Sequence, residues 1–288
     1  MLQTQRDSKK FSILIANYNN GQFFPSCYDS IIAQTYDNWE AVILDDKSTD
    51  DSIAQIKKII GNDDRFKIYE NDLNCGVGIT KHKLIDFAEG DICGFLDPDD
   101  ALLPDALKAS IDVFDKKEKV VLTHSKYLKC DEYLNPVSVS KNTMPVQNND
   151  PYFFNCNIHI AHFVAFRKKI YELTEKMDTS MKIAEDQDLY LKMYEMGEVF
   201  FINKPCYLYR IHSNGISQDK NLPAAREYFS KVLFNAMKRR NLKTINGKPV
   251  PDEYTDVKSM YDLLEYQNKI TYRIRKKLNI FLQKILDI

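Results

Sequence analysis

The sequence predicts an α/β protein with a mostly parallel central sheet, flanking helices and a helical C-terminal extension. Three observations carry that expectation. Apolar runs alternate with amphipathic segments through the first hundred residues, at the spacing of about thirty residues typical of β-helix-β crossovers. Of 288 residues 44% are hydrophobic, enough for a real core, while 9 Gly and 10 Pro exclude collagen-like and linker-rich chains. The last seventy residues then lose the strand signals and read as helices.

The elements follow in order. Residues 11–16 read as a strand, Asn19-Asn20-Gly21 as a turn, and the stretch to Gln34 as a helix with Pro25 in its first turn. Residues 40–44 form a second strand ending in Asp45-Asp46. Ser48, Thr49 and Asp50 are N-cap residues for a helix to about Ile60. A third strand covers 66–69. Gly76 and Gly78 open a helix that Gly90 stops, and a fourth strand at 91–96 runs into Asp97-Pro98-Asp99-Asp100.

Beyond Pro104 a helix to about Asp115 and a strand at 120–123 precede a polar stretch, 129–150, read as a hairpin or loop over the sheet rim. Residues 159–166, 199–202 and 207–211 read as strands, 185–196 as an amphipathic helix and 224–240 as another helix.

Forty basic against forty-one acidic residues give a formal charge of −1, which argues against a nucleic-acid partner held by phosphate contacts. The balance is uneven: from Asp219 onward 15 basic residues face 8 acidic ones, so this stretch is +7 and the rest −8. No apolar run approaches the ~18 residues needed to span a bilayer, and residues 1–10 lack a signal-peptide core. A cytoplasmic protein is expected. Six widely spaced cysteines with no C-x-x-C pair are read as reduced and mostly buried.

In parallel sheets, ligands bind beyond the carboxyl ends of the strands, where two strands here finish in acidic clusters. Three carboxylates within Asp97-Pro98-Asp99-Asp100 repel one another unless a hard cation such as Mg²⁺ or Mn²⁺ sits among them. An acidic turn capping the next helix is the other reading. Glu185-Asp186-Gln187-Asp188 opens a helix, where ionised carboxylates are favoured and one can act as a general base. His212 is a candidate imidazole ligand. No dinucleotide, P-loop or nucleophile-elbow motif is present.

Together the motifs resemble the family 2 glycosyltransferases with the GT-A fold. The matching stretches are Ser12-Ile13-Leu14-Ile15-Ala16-Asn17-Tyr18-Asn19, Ile43-Leu44-Asp45-Asp46-Lys47-Ser48, Asn74-Cys75-Gly76-Val77, Gly94-Phe95-Leu96-Asp97-Pro98-Asp99-Asp100, Glu185-Asp186-Gln187-Asp188 and Tyr209-Arg210-Ile211-His212. The resemblance implies a GT-A domain over 1–218, with a nucleotide-sugar half at 11–104 and an acceptor half at 105–218, followed by a basic helical extension at 219–288.

It further implies that Ala16, Asn17, Tyr18 and Asp46 line the base pocket of a nucleotide-sugar donor, most often a uridine diphosphate sugar. Asp97 or Asp99 would contact ribose or metal. Asp99, Asp100 and His212 would ligate Mn²⁺ or Mg²⁺, and Arg210 would spread the leaving-group charge. Asp186 would be the catalytic base of an inverting transfer to a glycan or lipid-linked glycan, with Glu185 binding acceptor hydroxyls.

This chain departs from the family pattern at Ala16-Asn17 and Leu84, and at Thr80-Lys81-His82, where Lys81 keeps a charge near the donor but not an Arg fork. His159 and His162 fall where the family places sugar contacts. A catalytically idle nucleotide- or sugar-binding subunit of a polysaccharide assembly complex is the alternative reading, although the carboxylates are all present.

In the final segment, Ile270, Ile274, Leu278, Phe281, Leu282 and Ile285 share one helical face, with Lys269, Arg273, Lys276, Lys277 and Lys284 largely elsewhere. A basic amphipathic helix of this kind is expected at a membrane surface, in a homodimer or packed on its own domain.

Overall fold

The computed structural model describes residues 8–212 and 222–286. β1 (Phe11–Asn17), β2 (Trp39–Asp45), β3 (Phe66–Glu70) and β4 (Ile92–Phe95) alternate with α1 (Phe24–Ile32), α2 (Ser52–Ile60) and α3 (Val77–Phe87). The four strands pair in parallel in the order β3-β2-β1-β4. Helices cover both faces of this half, so every residue of β2 is buried and its sequence is an apolar run rather than an alternation.

The chain continues through β5 (Ala101–Leu102), α4 (Ala106–Lys116), β6 (Val120–Cys130), β7 (Pro136–Val139), β8 (Val164–Arg167), α5 (Lys168–Tyr171), α6 (Glu185–Tyr194) and β9 (Glu198–Arg210). These extend the sheet as β4-β8-β6-β9-β5, with β7 hanging on the far half of β6. β8 is antiparallel to both neighbours, whereas β6 and β9 pair in parallel. Two core layers result. Phe11, Ile13 and Ile15 of β1 face one with Ile43, Ile56 and Leu107, and Leu14 faces the other with Val42, Leu84, Phe166 and Leu189.

Several elements differ from the expectation. The two strands expected around Pro205 are one, β9, which crosses that proline by breaking register against β6 between Ser125 and Tyr127. β8 covers only the end of the strand expected at 159–166, because Asn155 takes Ile160 N–H and carbonyl into a side-chain-bonded turn instead. The 129–150 stretch does contain a hairpin: β6 and β7 are joined by a turn that Asp131 closes with the Tyr133 and Asn135 N–H groups. All six cysteines are free thiols, four of them buried.

The final seventy residues are not a separate extension throughout. The expected boundary at 218 lies outside the described residues. α7 (Leu222–Arg239), the small β10–β11 hairpin (Thr244–Ile245, Lys248–Pro249) and α8 (Val257–Leu264) place Phe229, Val232, Leu233, Met237, Ile245, Met260 and Leu263 in the same core layer as Leu189 and Met193. Arg239 and Arg240 both clasp Glu195 just beyond α6, at 2.7 and 2.8 Å. Among the described residues, α9 (Ile270–Leu286) contributes no residue to that core.

At the opposite end of the sheet from the acidic turns, Glu40 is 2% exposed. It accepts hydrogen bonds from the Ser12 hydroxyl and the Glu89 N–H, both at 2.6 Å, and faces Lys10 and Lys67 at 2.9 and 3.0 Å. Burial works against the ionised form, but these donors outweigh it and pull the carboxyl down to about 2. Because the folded value lies below the unfolded one, the stabilisation is complete above about pH 4.3 and disappears as pH falls through the folded value. Glu40→Gln is expected to lower the unfolding free energy by about 2–3 kcal/mol at pH 7 in urea titrations. The gap from the parent should narrow as pH is lowered from about 4.3 towards 2.

Candidate active site

The parallel register brings the ends of β1 and β2 level, Asn17 opposite Asp45, and the turn after β4 beside them. Asn17 is buried; its amide donates to Asp45 at 2.7 Å, and its Oδ1 has no partner among the described residues. Ser48 donates to Asp45 at 2.6 Å, and Thr49 N–H donates to Asn19. Ser48 and Thr49 therefore lace the first two loops together, and α2 starts only at Ser52, whose N–H meets Asp50. Ala16 is half-buried and Tyr18 is exposed beside them.

Asp46 points inward. Its carboxylate accepts from Asn71, Cys75 N–H and Gly76 N–H at 2.8, 2.8 and 2.7 Å, pinning the loop that starts α3. Gly76 takes φ of +85°, which an L side chain rarely adopts, and a Cβ on Gly78 would stand 2.4 Å from the Met181 carbonyl oxygen. Together these bring α3 against the segment before α6.

Across that contact, Lys81 of α3 reaches Glu185, the first residue of α6, at 2.7 Å, and Asp97 at 4.0 Å. Both Lys81 and Glu185 are buried. Burial disfavours the ammonium, but the charges of Glu185, Asp97 and Asp186 outweigh it and hold its pKa above the usual lysine range. Glu185 therefore faces Lys81. Asp186 stays partly open; its only described donors are the N–H and amide of Gln187, at 2.8 and 3.2 Å. Burial and the adjacent Glu185 charge raise its pKa. Asp188 is fully buried on Lys192 and the Asp178 N–H.

The three acids of the β4 turn separate. Asp97 is the most open, its side chain 34% exposed. Asp100 is enclosed: its carboxylate accepts the Arg210 N–H at 2.7 Å and the Tyr207 hydroxyl at 2.8 Å. Burial, with Asp99 and Asp97 alongside, pushes its pKa well up. Asp99 turns outward to His212, Oδ2 to Nε2 2.9 Å. The Arg210 guanidinium holds the turn from behind, donating to the Asp99 carbonyl at 2.5 Å, the Glu132 carbonyl at 2.6 Å and Ser26 at 3.1 Å, over the Phe23 ring.

The GT-A-like arrangement of acidic strand ends now has counterparts. The sequence pattern of Glycosyl transferase family 2 matches residues 12–174. The chain belongs to that family. It is 30% identical over 239 residues to a chondroitin synthase of Escherichia coli, a match covering 83% of this chain and 34% of that protein, so the chain spans about a third of the relative's length.

The fold is shared with S. aureus TarS 1-349 in complex with UDP-GlcNAc, TM-score 0.66 at 19% identity, over 90% of this chain and 72% of that one. It is also shared with a mannosyltransferase of Pyrobaculum calidifontis in complex with GDP-Man and Mn²⁺, TM-score 0.58 at 14% identity, over 97% and 88%.

In this family 2 chain the sequence-predicted residues divide into two sets. Tyr18, Asp97, Asp99, Asp186 and His212 lie at the open side of the rim, whereas Asn17 is buried. Asp46, Lys81, Asp100, Glu185 and Arg210 are engaged in holding it. Asp100, expected as a metal ligand, Arg210, expected as a diphosphate contact, and Lys81 and Glu185, expected as donor and acceptor contacts, are each engaged by protein partners. Asp99 and His212 pair a hard oxygen with an imidazole nitrogen beside repelling carboxylates, a donor set that fits Mn²⁺ or Mg²⁺. Among the described residues no group of three His, Cys, Asp or Glu converges on one such point.

His159 turns to the Asn142 carbonyl at 3.0 Å, whereas His162 lies half-exposed. It stacks on Tyr207 at 4.8 Å and on Tyr209 at 5.9 Å. Tyr207 escaped the sequence reading: its hydroxyl ties Asp100 to the Asp97 N–H, yet in the apolar run before Arg210 it looks like any core aromatic.

The Lys81–Glu185 contact is expected to be strongly non-additive. Lys81→Met and Glu185→Gln should each destabilise by about 3 kcal/mol or more, because each leaves a buried polar group or charge without its partner. The double variant should cost less than the sum by about 1–3 kcal/mol in urea unfolding.

Proposed function

We propose that this chain is a metal-dependent inverting glycosyltransferase. It moves a sugar from a nucleotide-diphosphate donor, a uridine diphosphate sugar, to a hydroxyl of a glycan or lipid-linked glycan. The observation that carries the reading is the bridge made by one ammonium, 2.7 Å from Glu185 and 4.0 Å from Asp97. It ties the start of α6, where the half-open Asp186 lies, to the turn that carries Asp97 and Asp99. The UDP-GlcNAc bound by TarS and the glycan made by a chondroitin synthase support the donor and acceptor classes.

Asn17 and Tyr18 flank the base, in a pocket whose wall Asp46 braces, and Asp97 binds the ribose hydroxyls. Asp99 and His212 would hold a divalent ion, which when bound supplies Lewis-acid charge for the departing diphosphate. Asp186 accepts the proton of the acceptor hydroxyl as that oxygen attacks the anomeric carbon from the face opposite the leaving group. The new glycosidic bond forms as the bond to the diphosphate breaks, so one displacement inverts the configuration. His162, on its aromatic platform, borders the acceptor side. Arg210 and Tyr207 act indirectly, by fixing the turn that aims Asp99.

Asp186→Asn should leave donor binding near that of the parent and cut transfer by about 10²–10⁴-fold, the usual range for a lost general base. Near-parental transfer would remove Asp186 from the role. Since burial and Glu185 raise its pKa, and only the ionised form accepts a proton, the parent's rate should rise with pH. The midpoint should lie above the ordinary aspartate value of about 3.9.

Calorimetry with UDP, GDP, CDP and dTDP, each with and without Mn²⁺, tests the donor site. UDP is expected to bind only with metal, and Asp99→Ala and His212→Ala should abolish that dependence. Binding of no nucleotide under either condition would overturn the transferase reading in favour of an idle subunit.

A further inference from the structure

α9 is amphipathic, yet it sits on the body with its polar side inward. Asn279 donates to Gln147 at 3.2 Å, and Gln283 exchanges hydrogen bonds with the Asn148 backbone at 3.0 and 3.2 Å. The Lys276 ammonium lies 4.9 Å from the Phe153 ring, and Tyr272 meets Tyr266 edge-on. These positions share one side of the helix. Ile270, Ile274, Leu278, Phe281, Leu282 and Ile285 occupy the other, within an arc of about 120°. Each is between 46% and 71% exposed.

A surface helix ordinarily turns such a stripe to the core. Here the two sides are reversed, so a continuous apolar ridge meets solvent.

The charges say what fits that ridge. α9 carries Arg273, Arg275, Lys276, Lys277 and Lys284 and no Asp or Glu. Arg275 borders the stripe on one edge and Arg273 and Lys277 on the other, all exposed. A second copy packed ridge to ridge would bring two such basic borders together without a compensating acid. A bilayer with anionic headgroups satisfies both features at once: acyl chains receive the ridge and phosphates receive its borders. No described helix is long and apolar enough to cross a membrane, so the fit is a helix lying flat.

We propose that α9 is a membrane-docking element, resting in the interface of an anionic phospholipid bilayer with its apolar ridge in the acyl boundary. The body is carried on its polar side through Asn279 and Gln283. The proposal does not depend on the transfer chemistry.

The test is co-sedimentation of the full 288-residue chain with phosphatidylglycerol-containing or pure phosphatidylcholine vesicles. Binding to the anionic vesicles is expected to be at least about tenfold tighter, and to weaken as salt is raised. Ile274→Asp with Phe281→Asp should abolish it while circular dichroism and thermal unfolding stay at parental values, since both side chains are exposed. Arg273→Gln with Arg275→Gln and Lys277→Gln should remove the preference for anionic lipid.

Equal binding to both vesicle types, binding unchanged in the Asp variant, or no binding would overturn the proposal. So would a parental dimer in sedimentation velocity that the Asp variant dissociates, which would give the ridge to a second copy. UDP calorimetry on the same samples reads the donor site separately, so either proposal can fail alone.

Discussion

The buried contact between Lys81 and Glu185 is the constraint on which the rest of the site depends. A carboxylate taken out of water at the start of α6 requires a cation, and the cation comes from the other half of the molecule. Its position is set through a chain of causes. Asp46 fixes the Cys75 and Gly76 N–H groups, Gly76 turns the backbone with positive φ, and the bare Gly78 lets α3 close on the Met181 carbonyl. Lys81 follows one turn later. Asp186 is the next residue after Glu185, so the same bridge that anchors one acid holds the other half-exposed at the rim.

Acids occur in adjacent groups at this rim, and in two of them the members take opposite jobs. In Glu185-Asp186 the first is paired and the second half-open. In Asp99-Asp100 the second is enclosed by the Arg210 N–H and the Tyr207 hydroxyl, and the first turns outward to His212. Successive side chains leave an extended backbone or a helix start in different directions, so an acidic pair naturally offers one inward anchor and one outward ligand. Asp45 and Asp46 break the pattern. Both are taken up by loop donors, which makes the end of β2 a brace for the pocket.

This explains what was legible in the sequence. The parallel half was, because strands covered on both faces become apolar runs whose ends are marked by turns and acids. The rim location of Asp97 and Asp99 follows from those ends, whereas that of Asp186 and His212 rests on the family resemblance. What escaped was direction. Nothing in Asp97-Pro98-Asp99-Asp100 says which carboxylate faces inward, since Tyr207 and Arg210 decide it from more than a hundred residues away. The antiparallel half was harder for a related reason: β8 and β9 are specified by long-range pairing, and a proline that reads as a break is absorbed by a register shift. The tail misled through its charge, because two of its basic residues, Arg239 and Arg240, belong to the body through Glu195.

α9 carries the same lesson furthest. Its periodicity states that two unlike faces exist, and by itself favours burying the apolar one. The outcome turns on the partner surface. Gln147 and Asn148 present amide and backbone groups that need hydrogen bonds, and Asn279 and Gln283 match them while an isoleucine or leucine face would leave them unsatisfied. The body therefore selects the polar side. Once it has done so, the apolar ridge has nowhere to go within the described residues except outward, between rows of arginine and lysine. An exposed stripe that runs the length of a helix, bordered by one sign of charge, is a surface shaped for a partner that is apolar inside and negative outside.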